Sequence, residues 1–149
     1  MSSKNLDECL KTHVKNNLYL SIDDYKVVKK VYEKTSHLLD DILSGDLENT
    51  DFDDMITWTQ YVLASMNVVE DLVKSGDKRR EVLIVCLKTS VDMNESINDN
   101  IRKKVYNSVD NTIPRLIRVF IIGSKDLKIN KKKCCLLFRC LARFLCCFN

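Results

Sequence analysis

Apolar residues recur every three or four positions along most of this chain, the spacing that lines them up on one face of an α-helix. Leu6, Leu10, His13, Val14, Asn17 and Leu18 give a first short amphipathic helix. Ser21 followed by Asp24 reads as an N-terminal cap, with Asp in place of the usual Glu. Beyond it Val28, Val31, Thr35, Leu38, Leu39 and Ile42 line one face while Lys29, Lys30, Glu33, Lys34, Asp40 and Asp41 take the other, and Gly45 ends the helix.

A third helix is predicted from Thr50 or Asp51, with Asp53 and Asp54 in its first turn where carboxylates complement the helix dipole. Its stripe is Phe52, Met55, Ile56, Thr59, Leu63, Met66, Val69 and Val73, closed by Gly76. Asp77 opens a fourth segment. Within it residues 82–87 form a continuous apolar run that periodicity alone cannot separate from a buried strand, but a lone strand among helices would have no partner for its backbone groups, so helix is expected. Ile97, Ile101, Val105 and Val109 imply a fifth helix. A sixth is predicted to start at Pro114, where the missing N–H does no harm, and to end at a left-handed Gly123; being almost wholly apolar apart from Arg115 and Arg118, it is expected at the centre of the bundle.

The expected architecture is therefore all-α: a compact bundle of about six helices over residues 1–123, followed by a C-terminal basic, cysteine-rich amphipathic helix within residues 124–149. Composition agrees. Three Gly and one Pro are too few for a sheet-rich fold, and a chain of 149 residues can bury a core without disulfides or metals. Met1 is not followed by an apolar signal segment, since Lys4, Asp7, Glu8 and Lys11 intervene, so a cytoplasmic location with reduced thiols is expected for the seven cysteines.

Charge changes the picture once the chain is divided. Lys125, Lys128, Lys131, Lys132, Lys133, Arg139 and Arg143 stand against Asp126 alone, so the segment after Ser124 carries +6 of a total of +3, and the rest carries −3. In that segment Lys131, Lys132 and Lys133 lead into Cys134, Cys135, Leu136, Leu137, Phe138, Arg139, Cys140, Leu141, Ala142, Arg143, Phe144, Leu145, Cys146, Cys147 and Phe148. Wound as a helix, it sets a basic strip of Lys132, Arg139 and Arg143 opposite Leu137, Leu141, Phe144, Leu145 and Phe148. The apolar run of about 15 residues is too short to span a bilayer and holds two arginines, whereas lying in the interface suits it.

An anionic membrane surface is thus the expected partner, with Lys131, Lys132, Lys133, Leu137, Phe138, Arg139, Leu141, Arg143, Phe144, Leu145 and Phe148 making contact. Cys134, Cys135, Cys140, Cys146 and Cys147 are candidates for S-acylation, each chain adding about 0.8 kcal/mol per buried methylene. The ending Cys146-Cys147-Phe148-Asn149 resembles the double-cysteine ending of Rab-type GTPases, but Asn149 is not a usual terminal residue for prenylation and the chain has no phosphate-binding Gly-rich loop. The alternative is a seventh helix packed on the bundle or pairing with a second copy.

Other chemistry is sparse. Adjacent cysteines without a nearby histidine do not match zinc spacing, and leucine, cysteine and phenylalanine beside the basic residues offer no base-reading groups, so neither a metal nor nucleic acid is expected. His13 and His37 read as solvated or packed side chains, and no catalytic constellation or cofactor motif is evident. Asp51, Asp53 and Asp54 lack the glycine and terminal glutamate of an EF-hand. Lys78, Arg79 and Arg80 run against a helix dipole and make a modest candidate for an acidic partner.

Met66-Asn67-Val68-Val69-Glu70, then Gly76-Asp77-Lys78-Arg79-Arg80-Glu81-Val82-Leu83, Ile113-Pro114-Arg115-Leu116-Ile117 and Ser124-Lys125-Asp126-Leu127-Lys128-Ile129-Asn130-Lys131-Lys132 together resemble a group of short helical proteins encoded by giant, large double-stranded DNA viruses. The likeness spans roughly residues 60–133 and departs from the group's pattern at Arg79 and Arg80, where lysines are usual, and at Asp126, where Gly is usual. It implies an all-helical, virus-encoded protein and carries no agreed activity or catalytic residues to transfer; a non-enzymatic protein is expected from the lack of a catalytic constellation in the residues themselves.

Overall fold

Five α-helices and one short 3-10 turn organise residues 5–126, which are those described by the computed structural model. They are α1 (Leu6–Asn16), the 3-10 turn Ile22–Asp24, α2 (Tyr25–Leu43), α3 (Met55–Leu72), α4 (Gly76–Met93) and α5 (Asp99–Asp126). No strand occurs among the described residues, whose fold is all-α.

α4 is the centre. Val82, Leu83, Ile84, Val85, Cys86, Leu87 and Val91 are all buried, pointing to every side of the helix, and each of the other four helices packs against it. This accounts for the apolar run at 82–87: a helix hydrophobic all round must be covered all round. Around it α1 contacts α2, α2 contacts α3, and α3 contacts α5, closing most of a wall. Those outer helices are amphipathic, with Leu10 and Val14, Val28, Val31 and Leu39, and Trp58, Val62 and Val69 turned inward. Each such side chain, fully withdrawn from water, contributes about 1.5–3 kcal/mol.

The ends of the helices are held by local polar contacts. Asn5 caps α1 by accepting from Asp7 N–H, and Asp54 caps α3 by accepting from Ile56 N–H. The Ser21 N–H and hydroxyl both donate to Asp24 Oδ2, at 2.8 and 3.0 Å, and Lys78 Nζ at the start of α4 donates to the same carboxylate at 2.9 Å. The Trp58 indole donates to the Phe52 carbonyl at 2.8 Å, pinning the long connection between α2 and α3 onto the core.

Two expectations are corrected by α5. The helices predicted on either side of Pro114 are one, and the helix continues through Gly123 to Asp126 rather than capping there. A proline inside a helix forfeits one hydrogen bond and crowds the preceding turn, but Ile101, Val105, Val109, Ile113, Leu116 and Ile117 form one unbroken buried stripe across it. Burial of that stripe outweighs the local penalty. Nor is the segment after Pro114 central, because Arg115 and Arg118 are exposed and Val119 is 55% exposed. A third correction concerns Gly76, which opens α4 instead of closing α3; α3 ends at Leu72 with Val73 as its cap.

Because α5 runs unbroken through Pro114, Pro114→Ala restores a helical N–H and should raise stability by about 2 kcal/mol, measured by urea denaturation; a helix beginning at Pro114 would show no gain. The Asp24 carboxyl is held below the ordinary carboxylate range by the Ser21 backbone N–H and by Lys78, against a smaller upward push from burial. Its folded pKa lies below the unfolded one, so its stabilisation is complete above the unfolded value near 3.9 and is lost as pH falls through the folded value. Asp24→Asn should therefore show a shallower loss of stability below about pH 4 than the wild type.

Candidate functional site

The residues singled out for membrane contact and lipidation, from Lys131 to Phe148, lie outside the described residues. What the structure describes is the end of the bundle that leads to them. α4 and α5 run antiparallel, as Arg102 meets Asp92, Lys88 meets Asp110, and Arg80 shares a cleft with Arg118. The N-terminus of α4, the C-terminal half of α5 and the loop after α1 therefore meet at one end.

That end carries an open cleft of about 420 Å³, lined by Gly76, Asp77, Arg80, Pro114, Arg115 and Arg118, together with Ile117. Arg80 is committed within the fold: its Nε donates to Glu81 Oε1 at 2.8 Å, and its guanidinium lies 5.9 Å from the centre of the Tyr19 ring. Glu81 is buried with both oxygens engaged, the second accepting from Asn17 Nδ2 at 2.9 Å, which ties the loop after α1 to α4. Lys78 is paired with Asp24, while Arg79 donates to the Val73 carbonyl at 2.7 Å and lies 3.6 Å from Glu70. The basic run at the start of α4 is thus spent on internal contacts; Arg79 in particular satisfies a carbonyl at the end of α3, where a cation is favourable.

Arg115 and Arg118 differ. Both are exposed and neither has an ion-pair partner among the described residues. Beside this end stand large apolar side chains in water: Leu18 at 95% exposure, Tyr19 at 57%, Ile22 at 63% and Val119 at 55%. Single exposed apolar residues are ordinary, but Leu18 and Tyr19 on one loop, with Val119 next to Arg118, combine apolar and basic surface on one end. Among the described residues no helix is long and apolar enough to cross a membrane.

A second constellation lies at the opposite end of α4. His13 Nε2 is 2.9 Å from Asp92 Oδ2, and Arg102 Nη1 is 2.9 Å from Asp92 Oδ1. Burial pushes the Asp92 carboxyl up, but hydrogen bonds with Tyr106, His13 and Arg102 outweigh it and hold it below the ordinary range. Burial, then the bond to Asp92, drives the Tyr106 phenol well above its usual value. Cys9, one helical turn before His13, brings its sulfur within 4.8 Å of a ring nitrogen of His13 and a carboxylate oxygen of Asp92.

Sequence reasoning passed over this group. Cys9 and His13 stand four apart on α1, which was legible, but two such residues on a helix are common; Asp92 is 79 residues away from His13 and is delivered only by the packing of α1 on α4. His37 is exposed on α2. The acidic residues before α3 have structural partners: Asp54 caps the helix and Asp51 accepts from the Asp53 N–H, both locally, while Asp53 accepts from the Ser108 hydroxyl on α5 at 3.3 Å.

Removing the carboxylate with Asp92→Ala should cost about 1–3 kcal/mol in a denaturant titration, because the half-buried Arg102 and His13 each lose a partner; an unchanged midpoint would mean that the network contributes nothing to the docking of α1. Comparison with protein-family models, with curated proteins and with solved structures finds no match for this chain.

Proposed function

We propose that this chain is a non-enzymatic helical protein held peripherally on anionic membranes by its C-terminal basic, cysteine-rich segment, a virus-encoded adaptor working at virion or host membranes. The bundle is the cargo of that anchor and offers its surface to a protein partner. The reading rests on one observation above the rest: the end of the bundle from which the +6 segment departs also exposes Leu18, Tyr19, Val119, Arg115 and Arg118.

The physical case is additive. Each basic residue near an anionic surface contributes about 1 kcal/mol, and apolar side chains entering the acyl boundary add to it. A single acyl chain with a polybasic patch is enough for stable attachment, and five cysteines lie among those basic residues. Arg115, Arg118 and the apolar loop would orient the bundle with this end toward the headgroups.

Co-sedimentation with vesicles of phosphatidylserine and phosphatidylcholine tests it. The full chain should pellet on anionic vesicles, less so on neutral ones or at high salt, and a chain ending at Asn130 should stay in solution. Arg115→Gln with Arg118→Gln should weaken partitioning by on the order of thirtyfold, two favourable charges of about 1 kcal/mol each having been lost. A full chain that remains in the supernatant at low salt, and sediments as a dimer without lipid, would replace this reading with that of a soluble interaction module whose last segment pairs with another copy.

A further inference from the structure

We infer that Cys9, His13 and Asp92 form a zinc(II) site that staples α1 to α4. The donors come from two elements: Cys9 and His13 are one turn apart on the same face of α1, and Asp92 lies near the C-terminal end of α4. Their ligand atoms already lie within 4.8 Å of one another. Around a tetrahedral zinc the corresponding separations are about 3.3–3.6 Å, given bonds near 2.0 Å to nitrogen or oxygen and 2.3 Å to sulfur. The site is completed by side-chain rotations that bring the widest pair of ligand atoms up to about 1.5 Å closer and let the His13–Asp92 pair open slightly.

The donor chemistry selects the ion. Thiolate, imidazole and carboxylate together suit zinc, whereas calcium and magnesium take oxygen ligands. Metal binding replaces the hydrogen-bonded contact between His13 Nε2 and Asp92 Oδ2, opening it from 2.9 Å. The imidazole proton moves to Nδ1 and the Cys9 thiol proton passes to solvent, leaving thiolate, neutral imidazole and carboxylate around the ion with water in the fourth position. Arg102 on Asp92 Oδ1 holds the carboxylate so that its other oxygen faces His13. Such outer partners orient a ligand before the metal arrives. All three side chains are half-buried, open enough for an ion to enter and sheltered enough to retain it.

Cobalt(II) is the probe, because a bound thiolate gives it a charge-transfer band and a four-coordinate site gives it strong visible absorption. The protein is the full chain with Cys134, Cys135, Cys140, Cys146 and Cys147 replaced by Ser, which removes competing thiols and keeps Cys9 and Cys86, its fold checked by circular dichroism. One equivalent of cobalt(II) should bind, be displaced by zinc(II), and raise the thermal midpoint as any ligand of the native state does. Cys9→Ser should abolish the charge-transfer band, and His13→Asn should lower affinity at least tenfold. Asp92→Asn should do the same where circular dichroism shows the fold retained; if it unfolds, the α1 variants decide. No saturable binding at micromolar metal, or a band that survives Cys9→Ser, would overturn the proposal.

Discussion

A helix that is apolar on every side cannot sit at a surface. That constraint on α4 organises the rest of the molecule: Val82, Leu83, Ile84, Val85, Cys86 and Leu87 need cover in all directions, and four amphipathic helices supply it. The hydrophobic faces of α1, α2, α3 and α5 have no other common place to go. The charged groups near α4 find partners, whereas the buried Thr89 and Ser90 hydroxyls on α4 have none among the described residues. Buried Glu81 engages both its oxygens with Arg80 and Asn17, Cys86 turns its thiol toward the Val28 carbonyl, and Asp92 gathers donors from three directions. Burial pushes the Cys86 thiol far above its usual pKa, leaving it a small hydrophobe rather than a nucleophile.

The two ends of α4 carry different chemistry for the same topological reason. At its N-terminus the basic run Lys78, Arg79 and Arg80 meets Asp24, Glu70 and Glu81, three carboxylates from three places in the chain. Charges that look misplaced against the helix dipole are there to hold neighbouring segments. At its C-terminus α4 meets the middle of α1, and the half-buried carboxylate of Asp92 becomes the meeting point of an imidazole, a guanidinium and a thiol. The second site depends on α1 lying against α4, since His13 and Cys9 both come from α1.

Much of this was legible in the residues, and the failures have identifiable causes. The outer helices announce themselves through stripes such as Val28, Val31, Thr35 and Leu39, since one-sided burial imprints its period on the sequence. The Ser21 and Asp24 cap is equally local and was readable. α4 leaves no such imprint because burial on all sides erases the period, and the apolar stretch after Pro114 imitates a central helix in its place. Pro114 itself misled in a different way: a strong local signal for a helix start was overruled by the long stripe from Ile101 to Ile117, which is a tertiary effect. The Cys9, His13 and Asp92 group was beyond sequence reasoning, as its geometry exists only once α1 has docked.

The position of α4 in the chain has a consequence for synthesis. The covering helices α1, α2 and α3 are made before the surface they cover, and α5 after it. Leaving the ribosome, the first 75 or so residues carry three apolar faces with no central helix to receive them, for several seconds at about 5–20 residues per second. During that interval Leu10, Val31, Leu39, Trp58 and Val62 are buried only against one another or against a chaperone. The arrival of α4 supplies the surface those faces need, and α5, made last, covers the side of α4 that remains open.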